Sequence, residues 1–312
     1  VAEHPSAGCG TFLRVPRATS AAGADVAILG VPFDLATSNR PGARFAPAAI
    51  RSASSQLAEL KAYPGGFDPL AFAKTVDLGD VFFDHGRPAT IPTAIEAAAS
   101  AVLDHDAFLI GLGGDHFVSY PLIAAHTKKH GPLALIHFDA HTDTWTSTAG
   151  PGEDLELNHG TMFWRAAKEG AILPERSVQV GIRTWVDDPM GFTIVDGEVA
   201  AERRADEIAS LIARVTGGAP CYVTVDIDCL DPAYAPGTGT PVTGGLTPLK
   251  LLQTLRGIAH LNIVGCDIVE VLPAYDQGGI TALNAATVVY EQICRIAGKR
   301  GAVPKRYANP FN

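Results

Sequence analysis

Cysteine is scarce and scattered. The chain of 312 residues has five cysteines, none in a CxxC pair, which excludes a disulfide framework and a zinc ribbon. Cys221, Cys229 and Cys266 lie in or beside apolar runs and read as reduced core residues. Long apolar runs are missing as well: none approaches the roughly 20 residues a membrane helix needs. No charged region followed by an apolar core opens the chain, so the expectation is no signal peptide, no membrane and a cytoplasmic location. There is no basic surplus, with 24 Lys and Arg against 33 Asp and Glu and a net charge of −9. That argues against a general binder of nucleic acid or anionic membrane and is compatible with a cationic partner. With 47% hydrophobic and 18% charged residues, the composition is neither disordered nor fibrous.

Short apolar runs rich in Val and Ile alternate with longer helical patterns. The runs cover 25–30, 75–78, 107–111, 133–138, 178–181, 192–195, 221–226 and 263–271. They are continuously apolar, which is how strands of a parallel sheet covered on both faces read. Helices are predicted over 91–103 with Thr90 as cap, 120–130 with Ser119 as cap, 204–215 stopping at Gly217-Gly218, and 249–259 behind Thr247-Pro248. The segment 281–297 is apolar nearly all round and predicts burial or a subunit contact. No repeat or polar linker divides the chain. The expectation is one α/β domain over 1–312, with an N-terminal arm over about 1–24. In such sheets, function collects beyond the carboxyl ends of the strands.

Three polar clusters fall at such ends. Gly113-Gly114-Asp115-His116 follows the third run; alone it is a weak signal, because two glycines also serve simply as a turn or a phosphate-binding nest. Asp139-Ala140-His141-Thr142-Asp143 follows the fourth. In extended chain, residues 139, 141 and 143 share one side, and three polar groups aimed one way call for a common partner. Asp226-Ile227-Asp228 follows the seventh; two carboxylates so close raise each other's pKa unless a cation lies between them. Taken singly, it would also suit a helix cap or an aspartate-nucleophile phosphotransferase. Together, His116, Asp139, His141, Asp143, Asp226 and Asp228 form an oxygen-rich set without thiolate. That set suits manganese better than structural zinc, and its size suits two ions with bridging carboxylates rather than one.

These motifs, in this order, resemble those of the ureohydrolase (arginase/agmatinase) family. Val31-Pro32-Phe33-Asp34, Arg40-Pro41-Gly42-Ala43-Arg44, the run Asn158-His159-Gly160-Thr161-Met162-Phe163, Pro236-Gly237-Thr238-Gly239-Thr240-Pro241 and Asp267-Ile268-Val269-Glu270 match as well. The likeness covers about residues 11–297 and is greatest to the bacterial agmatinases. It implies a three-layer αβα fold on a mainly parallel sheet of about eight strands. It implies two Mn2+ per chain and a homohexamer. It implies hydrolysis of a guanidinium to urea and an amine by a hydroxide that bridges the metals. By motif, His116, Asp139, Asp143 and Asp226 would hold one ion, and Asp139, His141, Asp226 and Asp228 the other. Asp115 and His137 would be supporting residues and not ligands.

The same resemblance gives the remaining roles. Glu270 would clamp the guanidinium, whose planar N–H pairs match a carboxylate. Asp228 would also carry the proton to the leaving amine, His159 would transfer protons or orient substrate, and Thr240 would bind the substrate's nitrogens. The tail of the substrate must be read elsewhere. The loop between Asp143 and His159 carries Glu153, Asp154 and Glu156 and no Lys or Arg, which suits the ammonium of agmatine better than a carboxylate. Agmatine is therefore the expected substrate and putrescine the product. A guanidinobutyrase or another guanidinoalkanoate hydrolase is the alternative, and arginase and a non-catalytic relative are less favoured.

Overall fold

A computed structural model describes residues 10–84, 86–146 and 157–305. Eight strands form a single sheet: β1 (Val26–Gly30), β2 (Thr75–Asp80), β3 (Phe108–Leu112), β4 (Ala134–Phe138), β5 (Val178–Ile182), β6 (Thr193–Asp196), β7 (Cys221–Asp226) and β8 (Ile263–Val269). Their order is β2-β1-β3-β8-β7-β4-β5-β6, and every pairing is parallel. All eight predicted runs are strands. The last stops two residues early, because Glu270 takes a left-handed φ of 61° that breaks the extended chain.

Side chains alternate across the sheet. Val26, Ile28, Ile110, Ile136 and Val223 face one apolar cluster, and Ala27, Leu29, Leu109, Leu135 and Tyr222 face the other. Residues of α1 (Ala46–Ser54), α6 (Ala205–Thr216), α7 (Pro248–Gly257) and α8 (Ile280–Lys299) pack into the first cluster. The second takes α2 (Ile91–Leu103), α3 (Ser119–His130) and α4 (Met162–Lys168). With α5 (Gly197–Glu202) at the β6 edge, this is the expected αβα sandwich. The residues of the supposed arm that are described are not loose: Phe12, Leu13 and Val15 are buried, and the Phe12 N–H donates to Asp77.

Some local expectations need correction. Thr90 and Ser119 do not cap: the Thr90 hydroxyl donates back to Arg87, and Ser119 is already helical, its hydroxyl near Thr224. Thr247 does cap α7, and Gly217 does end α6 in a left-handed conformation. The apolar 281–297 segment finds its partners within the chain, since Ala285, Val289 and Ile293 pack against α1, α7 and the sheet. It therefore supplies no separate argument for a subunit contact.

The topology sets up a site. The four central neighbours β3, β8, β7 and β4 run in the same direction, so their carboxyl ends meet at one edge. Register places Leu112 beside Ile268, Asp226 beside Val269 and Phe138 beside Val225.

Candidate active site

Each of the four central strands hands polar residues to the same place. Beyond β3, His116 lies on a short turn that two glycines allow to sit close. A Cβ on Gly113 would fall 2.6 Å from Val269, and one on Gly114 would fall 2.1 Å from the Phe33 carbonyl oxygen. Neither glycine has a left-handed φ, so the constraint is close approach and not a turn.

Beyond β4 the chain does not stay extended, contrary to the expectation. Residues 139–143 bend, the His141 N–H donates to Asp139 Oδ1 at 2.6 Å, and Asp143 has φ 54°. Asp139, His141 and Asp143 converge through this bend and not through strand alternation. Beyond β7, Asp226 does two things at once: Oδ1 caps the Asp228 N–H at 2.8 Å, and Oδ2 faces His116. The capping alternative is thus realised on one oxygen, with the other left for the cluster.

At the centre lies His116 Nδ1. It is 3.0 Å from Asp139 Oδ2, 2.9 Å from Asp143 Oδ2 and 3.3 Å from Asp226 Oδ2, yet has no hydrogen bond of acceptable geometry. The ring's other nitrogen fixes the tautomer. Asp267 Oδ1 takes the Thr224 hydroxyl proton at 2.6 Å, so Thr224 accepts from His116 Nε2 at 2.8 Å. In the neutral ring, Nδ1 is then a bare lone pair facing three carboxylate oxygens. Positive charge among them reconciles the set, whether a proton on Nδ1 or a bound metal ion. A few ångströms away, His141 Nδ1 lies 3.3 Å from Asp139 Oδ1 and 3.1 Å from Asp228 Oδ2. Two ligand clusters therefore share Asp139, and both offer imidazole and carboxylate and no sulfur.

The titration of these groups follows. Burial pushes His116 down, but its three carboxylate neighbours override that and hold it well above its ordinary value. His141 is likewise lowered by burial and raised more by Asp139 and Asp228, to about 12. Burial together with the charges of Asp228 and Asp139 pushes Asp226 well above the carboxylate range. Asp139 is raised by burial, yet His137, His116 and His141 hold it well below.

His137 sits in one geometric cluster, but its hydrogen bonds set it aside. Gln179 Nε2 donates to Nδ1 at 3.0 Å, so Nε2 carries the proton and donates to Asp139 Oδ2 at 2.7 Å. It orients Asp139. Asp115, fully buried, accepts from the Ala36 N–H at 2.9 Å and anchors the segment that carries Ser38.

Glu270 follows β8. Its Oε1 accepts from the His116 N–H at 2.9 Å and from His159 Nδ1 at 2.8 Å, while Oε2 is buried without a partner. His159 Nε2 accepts from the Ser38 N–H at 3.0 Å and lies 2.7 Å from the Ser38 hydroxyl. Burial lowers the His159 pKa, and the hydrogen bond and charge of Glu270 raise it further, to about 9. The Ser38 N–H opposes this, because it favours the neutral ring. Thr240 donates to Asp228 Oδ2 at 3.2 Å.

A cavity of about 400 Å³ opens over the cluster. His141, Asp143, Asp226, His159, Thr240, Ser38 and Trp145 line it, and no Lys or Arg does so among the described residues. Residues 147–156, with Glu153, Asp154 and Glu156, lie outside the described residues.

Sequence reasoning missed Ser38, Thr224, Gln179 and Arg183. The Arg183 guanidinium clasps the loop that carries Asp228 and Thr240: Nη2 donates to the carbonyls of Asp228 at 2.6 Å and Val242 at 2.8 Å, and Nη1 to that of Gly181 at 2.8 Å. Only Thr224 left a signal, because it shares the strand face of Asp226 two residues on.

Comparison with known proteins agrees with this arrangement. The arginase family model matches residues 24–294, and the chain belongs to that family. It is 49% identical over 301 residues to an agmatinase of Chromobacterium violaceum, covering 96% of this chain and 92% of that one. A crystal structure described as a hypothetical agmatinase from Burkholderia thailandensis superposes with a TM-score of 0.91 at 49% identity, over 96% of this chain and 93% of that one. The proclavaminate amidino hydrolase of Streptomyces clavuligerus gives a TM-score of 0.88 at 37% identity, over 95% and 99%.

Proposed function

We propose that the chain hydrolyses agmatine to putrescine and urea, in the manner of the agmatinases to which it is similar over nearly its whole length. The observation that carries the choice of substrate is the cavity wall. No described lining residue is a Lys or Arg. An ammonium tail needs no such partner, whereas a carboxylate tail calls for an Arg fork or a Lys. The amidino hydrolase relative is named for a different compound, so membership of the family does not fix the tail.

His116, Asp139, Asp143 and Asp226 would hold one divalent ion, and Asp139, His141, Asp226 and Asp228 a second, with manganese suited to so oxygen-rich a set. When bound, such ions lower the pKa of water from 15.7 toward about 7 and provide a nucleophile at neutral pH. The chain's own residues do the rest. Glu270, with Oε2 free, receives the guanidinium N–H pair and fixes its carbon. Asp228 takes a proton at a carboxylate oxygen and gives it to the leaving amine. His159 donates Nδ1–H to Glu270, which sets that carboxylate's orientation, and presents Nε2 at the cavity beside Ser38 for proton exchange. Thr240 steadies Asp228 and meets the substrate's nitrogens.

Putrescine as the product supports a part in polyamine biosynthesis, and the cytoplasmic location rests on the few, scattered cysteines of the sequence. The homohexamer rests on the resemblance; light scattering is expected to give six chains, and a monomer at working concentration refutes it. The deciding experiment is urea release with manganese from agmatine, 4-guanidinobutyrate, 3-guanidinopropionate and arginine. Agmatine is expected to have the highest kcat/KM. About a tenfold preference for 4-guanidinobutyrate, ~1.4 kcal/mol, overturns the reading in favour of a guanidinobutyrase.

A further inference from the structure

A second cavity, of about 410 Å³, lies between the 62–67 turn and the ends of α7 and α8. Its most unusual lining residue is Arg295. The side chain is 93% buried by its 7% exposure, and neither Nη1 nor Nη2 has a hydrogen-bond partner. Nε donates to Gln292 Oε1 at 3.1 Å, and the guanidinium lies 4.4 Å over the Phe108 ring. Phe108 is the first residue of β3, so this is the amino edge of the sheet, opposite the edge that holds the metal cluster.

The charges nearby make the vacancy of partners sharper. Burial lowers Arg295 to about 10, which leaves it cationic at neutral pH. Its titratable neighbour Cys266 is pushed up by burial and stays a neutral thiol. Of the other charged lining residues, Arg256 and Glu291 pair with each other at 2.9 Å. Lys299 adds a like charge, and its own pKa is lowered by burial and by Arg295. The cavity thus has a surplus of two positive charges in a chain whose net charge is −9. A buried guanidinium with two idle N–H₂ groups is costly unless an acceptor meets it. Phe67, Leu255, Ala259 and the faces of Tyr63 and Pro64 give the wall an apolar part, and His260 and Gln292 add polar groups. The volume suits a small molecule.

We propose that this cavity is a binding site for a small carboxylate on an apolar body, with the carboxylate seated on the Arg295 guanidinium and the body against Phe67 and Leu255. The planar fork of N–H donors matches a carboxylate in two parallel bonds. The site is independent of the metal cluster and of which guanidino compound is hydrolysed.

The test is calorimetric titration of the manganese-loaded enzyme with benzoate, its neutral isostere benzamide, and inorganic phosphate. Benzoate is expected to bind at least about tenfold more tightly than either of the others, ~1.4 kcal/mol. Arg295→Met, which keeps the side chain's bulk, is expected to lose that preference. Ala259→Trp fills the cavity without touching the charge and is expected to weaken benzoate by a similar factor, so the proposal stays testable if the first variant fails to fold. No benzoate binding at millimolar concentration overturns the site. Benzoate binding that survives both substitutions assigns it elsewhere and also overturns it. Phosphate binding tighter than benzoate refutes the apolar body.

Discussion

Glu270 joins two functions through one oxygen. Oε1 holds the His116 backbone and the His159 ring, while Oε2 is without a partner and is the oxygen proposed to receive substrate. Glu270→Gln keeps an acceptor for both N–H groups but removes the charge. The expected outcome is a fall of about 10²-fold or more in kcat/KM with manganese content unchanged, checked by urea release and metal analysis on the same sample. His159→Ala is expected to lower kcat by about 10²-fold and likewise to retain metal. Asp226→Ala should behave differently and lose activity and metal together. If either Glu270→Gln or His159→Ala binds no manganese, its side chain belongs among the ligands. At this scale the sequence was informative where chemistry repeats at short spacing, as in Asp139, His141 and Asp143 or Asp226 and Asp228. It was silent where the partner is far along the chain: nothing local joins Ser38 to His159, or Gln179 to His137.

Loops and the short elements between them bring the groups into place. The inner strands were legible because burial on both faces makes them short apolar runs, while the edge strands β2 and β6, which carry Asp77 and partly buried residues, showed through their Val, Ile and Leu. Helices α1, α4 and α5 were not, since 6 to 9 residues hold too few turns for a periodic stripe. The bend over 139–143 was misread because its cause is a side chain capping its own backbone, which no alternation pattern reveals. Arg183 ties together the two ends of the loop from Asp228 to Val242, its fork reaching carbonyls at both. Arg183→Leu is expected to destabilise by about 2–3 kcal/mol, since hydrogen bonds to a charged group are worth ~1.5–3 kcal/mol each. Metal retention should fall although no ligand is altered. Arg183→Lys should not rescue it, because a point charge cannot span both carbonyls. A denaturant melt and a dialysis assay check these outcomes, and wild-type metal retention in the leucine variant refutes the positioning role.

For the whole molecule, the acidic cluster couples stability to metal and to pH. In the metal-free protein, Asp226 and Asp228 are raised above the unfolded value by burial and neighbouring charge. A carboxyl group raised on folding binds more protons when folded. Its contribution therefore falls as pH climbs from the unfolded value through the folded one. Bound metal requires the ionised form, so its contribution grows over the same interval. The gap between the metal-loaded and metal-free melting temperatures is thus expected to widen as pH rises from about 4 to 7. At a free metal concentration 100 times Kd, one site adds ~2.7 kcal/mol. A gap that narrows over this interval contradicts the coupling.

Strand order also carries a history. β8 (Ile263–Val269) is the last strand made, yet it sits in the middle of the sheet between β3 and β7. Until it inserts, β3 and β7 present bare edges to each other, and no amount of helix formation closes the gap. During synthesis, the residues of His116 and Asp226 have emerged long before the strand that brings them side by side. The metal centre is therefore expected to form late in folding, with manganese binding by chains of increasing length switching on only after residue 270 is free. Pairings this distant in sequence also slow the search, so refolding is expected on the slow side for a protein of its helix content.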